Sequence, residues 1–187
     1  NRNFRNEGIS TRHNPEFTMM EVYQAYGNLG DMMDLAEGMI TTALDEIHPT
    51  REIAFGERKL NFATPWARRR WNDLLKEYAG VGLEDEDGLR RKAKELGRDP
   101  NGDKAAVADR LFEQCVEHQL VQPTFVIDYP IALCPLTKAR TDDPNYAERF
   151  ELYISGMECG NAYTELNDPL DQERRFRAQI EQTEGEV

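Results

Sequence analysis

The chain has 187 residues, 39% hydrophobic and 31% charged, enough to bury one good core, so one globular domain carrying an insertion is the expectation. Its 23 basic against 35 acidic residues leave a net charge of -12, the wrong sign for a surface that grips nucleic acid by its phosphates. No apolar run approaches the ~20 residues that cross a bilayer, NRNFRNEG carries no secretory pattern, and Cys115, Cys134 and Cys159 lack the spacing of a zinc site or a disulfide framework. A soluble, cytoplasmic chain with reduced thiols is expected.

Residues Asn1 to Tyr26 read as two extended segments around the polar loop EGISTRHNPE. From Asp31, the apolar positions Met32, Leu35, Ala36, Met39, Ile40, Ala43, Leu44 and Ile47 recur at three and four, which predicts an amphipathic helix ending before Pro49. Ile53–Phe55 and Leu60–Phe62 predict short strands around Gly56, and Pro65 opens a helical stretch through Trp71, Leu74 and Leu75. Residues Trp66 to Leu120 are helix-forming and highly charged, with Gly80, Gly82, Gly97, Pro100 and Gly102 separating three helices. There the run Arg68-Arg69-Arg70 reads as a solvated helix start, and His48 and His118 as capping or surface residues. Strand character returns at Val121 to Tyr129, Arg149 to Leu166 predicts a hairpin, and a helix follows Pro169, with Asn167 and Asp168 as its caps.

The segment FRNEGISTRHNPEFTMMEVY gathers Arg5, Glu7, Arg12, His13, Glu16 and Glu21, more charge than a structural hairpin needs. Such a cluster suits a polyphosphate, because the planar guanidinium fork matches phosphate oxygens. The segment resembles motif 2 of the class II aminoacyl-tRNA synthetases, an FRxE strand, a variable loop and a second strand, and its HNPEFTxxExY form looks like the lysyl branch. The resemblance implies that Arg5 is catalytic, binding the α-phosphate of ATP. Glu7 would accept from the adenine amino group, Arg12 and His13 would face the distal phosphates, Asn14 would order the loop and Phe17 would stack on adenine. Glu21 and Tyr23 lie two apart, on one face of the second strand, and the resemblance puts them in the amino-acid pocket.

A second match is RFELYISGMECGNAYTELNDPLDQ, which resembles the segment before motif 3 in the lysyl branch. A Ser155-Gly156 turn would pair Tyr153 with Glu158 and put Glu151 and Glu158 on one face, where two carboxylates could hold Mg²⁺ on the ATP phosphates, as the family does. Alternation puts Asn161, Tyr163 and Glu165 on one face, but not that of Glu158 unless the strand bends, which Gly160 permits. By resemblance Asn161 would engage the substrate carboxylate, Tyr163 would pack along the lysine methylenes, and Glu165 with Glu21 would meet the ε-ammonium. A core aromatic at Tyr163 would look the same in sequence.

The fold implied is α+β: the antiparallel sheet of the class II synthetase core flanked by helices. Residues 1–65 and 121–187 are its two parts and 66–120 a helical insertion. The function implied is ATP-dependent activation of lysine and its transfer to tRNA(Lys), with Mg²⁺ as cofactor and a homodimer as the intact enzyme. Two alternatives remain: a paralogue that lysylates elongation factor P through the same core, and a non-catalytic amino-acid-binding module, against which Arg5, Glu151 and Glu158 speak. Motifs 1 and 3 have no counterpart in the sequence and Asn1 opens straight into a patterned segment, so a fragment with little activity of its own is expected.

Overall fold

A computed structural model describes residues 1–6, 8–10 and 13–184 of the chain. Strands β1 (Arg2–Phe4) and β2 (Glu16–Thr18) form an antiparallel ribbon with Asn3 opposite Phe17. Helix α1 (Leu29–Ile47) starts at a capping box in which Asn28 and Asp31 bond each other's backbone amides, at 3.1 and 2.8 Å. Its inner face is Met33, Thr41 and Leu44, whereas Ile47, expected to be inside, is exposed. A hairpin of β3 (Glu52–Phe55) and β4 (Arg58–Asn61) follows.

Ala67–Arg70 form strand β5 instead of the predicted helix start, and the helix α2 begins only at Trp71 and runs to Ala79. Arginines carry no strand signal. Tertiary context supplies it: β5 lies parallel to β6 (Thr124–Ile127), and each arginine has a carboxylate partner, Asp34 for Arg68, Glu77 for Arg69 at 2.5 Å and Asp128 for Arg70 at 2.8 Å. Between the two strands run α2, α3 (Glu86–Glu95) and α4 (Lys104–Cys115), three helices as expected, the last two capped by Asp85 and Asp103.

Strands β7 (Arg149–Ile154) and β8 (Met157–Tyr163) complete a sheet of order β5-β6-β7-β8, antiparallel except for the β5–β6 pair, and α5 (Pro169–Glu184) follows. The α+β class is therefore observed. One face of this sheet packs Phe125, Phe150 and Leu152 against Met33 and Leu44 of α1 and against Leu60, Phe62 and Trp66. Burying each such side chain contributes on the order of 1.5–3 kcal/mol. The other face sets Val126, Tyr129 and Tyr153 against Trp71, Leu74, Leu111 and Phe112 of α2 and α4. The chain between β5 and β6 thus roofs this face.

Candidate active site

The β7–β8 turn is a tight one in which both central residues have positive φ, 57° at Ser155 and 74° at Gly156, the geometry that fits the twist of a two-residue hairpin. It is held from outside: Ser155 N donates to Val121 O at 2.8 Å, Gly156 N to Leu120 O at 2.9 Å, and Arg58 Nη1 to Ser155 Oγ at 3.0 Å. A side chain at Gly156 would meet the His118 Cα at 3.2 Å, and this crowding adds to the positive φ in favouring glycine there.

From that turn the register runs Tyr153 opposite Glu158 and then Leu152 opposite Gly160, which leaves Cys159 as the extra residue of a β-bulge. The bulge resets the alternation. Glu151 now faces Asn161 and Arg149 faces Tyr163, so Glu158, Asn161 and Tyr163 stand on the side of Glu151 while Ala162 turns to the apolar core. The bend that the sequence permitted is present. Glu165 continues the strand through a bridge to Thr137 and is exposed, as is Asn161.

Glu151 is buried, and its carboxylate accepts the hydroxyls of Tyr129 at 2.7 Å and Tyr153 at 2.8 Å on Oε2 and Arg149 Nη2 on Oε1. Arg149 also lies 4.9 Å from the centre of the Tyr129 ring. Burial opposes the Arg149 charge, but Glu151 overrides it and holds the guanidinium pKa above its ordinary value. Tyr129, Arg149, Glu151 and Tyr153 line a cavity of about 220 Å³ with Glu158 and with Asp109, Glu113 and Glu117 from α4 and the turn after it. Five carboxylates thus meet one guanidinium. Burial, then the Glu113 and Glu151 charges, push the Asp109 carboxyl up to about 6, and burial followed by Glu151 raises Glu158 as well. Such repulsion marks a place suited to a cation.

The β1–β2 ribbon carries the other predicted residues. Arg5 lies 5.3 Å from the centre of the Phe17 ring, and its backbone N donates to Pro15 O at 2.9 Å. His13 folds back on Ser10, its backbone N donating to Ser10 Oγ at 3.0 Å, and Asn14 Oδ1 accepts from Glu16 N at 3.5 Å. Glu7 and Arg12 lie outside the described residues. Glu21 accepts from Asn1 Nδ2, and Tyr23 is exposed. Burial and then the Glu165 charge hold the Tyr163 hydroxyl pKa above its ordinary value.

Residues 1–186 match the family model of class II tRNA synthetases of the D, K and N type. The chain belongs to that family. Curated relatives include the lysine–tRNA ligases of Dehalococcoides mccartyi (46% identical over 95% of this chain), Pelotomaculum thermopropionicum (43% over 97%) and Staphylococcus saprophyticus (44% over 97%). The chain spans 37 to 38% of the length of these relatives.

For a class II synthetase the acidic cavity has a ready use. Among the described residues no group of three or more His, Cys, Asp or Glu side chains could hold a metal ion by itself. Two carboxylates on one face, one of them destabilised by the other's charge, nevertheless fit a magnesium ion that keeps water and phosphate oxygens as its remaining ligands. Arg149, Tyr153 and the acids of α4 and the turn after it were given no role from the sequence, and the Asp128-Tyr129-Pro130 segment, which resembles a pocket-lining segment of the family, had none assigned. Two signals were there: Arg149, Glu151 and Tyr153 alternate inward on a strand, and Asp109, Glu113 and Glu117 recur every four residues.

Proposed function

We propose that the chain is the catalytic part of a lysine–tRNA ligase, active at full length as a homodimer in the cytoplasm. The bulge at Cys159 carries this reading, because it turns Asn161 and Tyr163 onto the face of Glu151 and Glu158. The names of the relatives favour tRNA over elongation factor P as acceptor.

In this reading a lysine carboxylate oxygen attacks the α-phosphorus of ATP, the bond to the β-phosphate oxygen breaks, and pyrophosphate leaves with that electron pair. The ribose hydroxyl at the tRNA end then attacks the lysyl carbonyl, loses its proton and releases AMP. Arg5 stabilises charge at the α-phosphate, Glu7, Arg12, His13 and Asn14 frame the nucleotide, and Phe17 offers its ring to adenine. Asn161 takes the substrate carboxylate, Tyr163 the methylenes, and Glu21, Tyr23 and Glu165 the ammonium, whose burial demands paired anions. Magnesium on Glu151 and Glu158 supplies positive charge against the phosphates. The remaining work is positioning, with no side chain acting as a covalent nucleophile.

The test is lysine-dependent pyrophosphate exchange by the full-length protein carrying Glu151→Ala with Glu158→Ala, with circular dichroism as control for folding. Loss of exchange by at least about 10²-fold with the fold kept supports the reading. Exchange near the unaltered rate at ordinary magnesium concentration sinks it.

A further inference from the structure

The contacts of Glu151 carry a consequence for the choice of metal ion, and it rests on the reading that Glu151 and Glu158 hold a dication. An ionised carboxylate offers about four lone-pair positions. On Glu151 the hydroxyls of Tyr129 and Tyr153 occupy both positions of Oε2, and Arg149 Nη2 occupies one on Oε1. One position remains, on Oε1. The Tyr153 hydroxyl also lies 3.2 Å from Glu117 Oε1, but it has a single proton and the 2.8 Å contact holds it to Glu151.

Arg149 gives independent evidence of how firmly Oε2 is held. An arginine beside a carboxylate prefers two parallel bonds through its fork. Here only Nη2 reaches Glu151, and Arg149 Nε is buried without an acceptor among the described residues. The two phenols have displaced the second arm of the fork. Both phenols are 3% exposed and are packed in the core under α2 and α4, so neither can swing away without disturbing that core.

We propose that Tyr129 and Tyr153 fix Glu151 as a single-oxygen ligand and thereby make the site select small, octahedral dications over Ca²⁺. Calcium takes six to eight oxygens and readily accepts both oxygens of one carboxylate, whereas magnesium needs few carboxylate oxygens and keeps its water. Closing off Oε2 therefore costs calcium a ligand and costs magnesium nothing. Both tyrosines are positioning residues, acting only through Glu151.

The experiment uses the full-length protein without lysine or nucleotide. Bound Mn²⁺ is counted from the free-ion spin-resonance signal and then displaced with Mg²⁺ or with Ca²⁺. The unaltered protein should release Mn²⁺ at lower Mg²⁺ than Ca²⁺. Tyr129→Phe with Tyr153→Phe, which keeps both rings, should improve Ca²⁺ relative to Mg²⁺ by roughly tenfold, the worth of about one charge-assisted bond. Each single variant frees one position and should move the ratio part of the way, which keeps the test available if the double variant unfolds. If both ions weaken together at a constant ratio, the tyrosines merely support the fold and the proposal is overturned. Glu151→Gln separates the two levels of the argument. Should it leave Mn²⁺ binding untouched, the metal reading itself fails. Should it weaken Mn²⁺ while the tyrosine variants leave the ratio unchanged, only the selectivity proposal falls.

Discussion

Replacing Asp109 by Asn should make the protein more stable at neutral pH and leave it unchanged in acid. Asp109 lies on α4 against the cavity, where burial and then Glu113, Glu151 and Glu117 oppose its charge more than Arg149 supports it. Raising a carboxyl from 3.8 to about 6 corresponds to roughly 3 kcal/mol of penalty on the ionised form in the folded state. The group is part-exposed, so about 1–3 kcal/mol is the expected effect. Because the folded pKa is the higher one, the penalty is absent below about pH 3.8, grows as pH rises towards about 6 and is complete above it. Asn has nearly the same shape and no charge. Urea unfolding at about pH 7.5 should therefore show Asp109→Asn more stable by that amount, and at about pH 4 the two curves should nearly coincide. A variant no more stable at neutral pH, or one whose advantage is larger in acid, would refute the electrostatic account of the cavity.

Glu165→Gln should leave the fold intact but remove about 1.5–3 kcal/mol of preference for lysine over neutral analogues, read as the ratio of exchange rates, and an unchanged ratio would take Glu165 out of the pocket. Asp128 is buried, sits at φ 58° and ties Arg70 at 2.8 Å to Arg140 at 2.5 Å. Asp128→Ala should thus cost about 2–4 kcal/mol in thermal or urea unfolding, adding a strained backbone to two lost charge-assisted bonds, whereas Asp128→Asn, which tolerates that conformation, should cost less. Equal losses in the two variants would mean the backbone plays no part.

Charge and apolar period by themselves determined the helices after Asp31 and Pro169, the three helices between Arg70 and the returning strand, and the hairpin with its Ser155-Gly156 turn, because those features are written in contacts no more than a few residues apart. Local pattern also exposed the two motifs, since a twenty-residue charged loop and an alternating acidic hairpin have few structural uses. What lies between them was decided only by packing. Ala67–Arg70 became a strand because β6, more than fifty residues later, completes its backbone and Asp128 meets Arg70 there. Gly160 allowed a bulge but could not place it; the turn, clamped by Leu120, Val121 and Arg58, fixes the register at one end and the apolar demand of Ala162 fixes it at the other, which leaves Cys159 over. The cavity, too, needed three dimensions, for Asp109 and Glu151 lie forty-two residues apart in sequence and acquire a common electrostatic fate only when α4 is laid across β7. Burial and distance between remote residues set the pKa values and the hydrogen bonds, and neither is encoded in any single stretch of sequence.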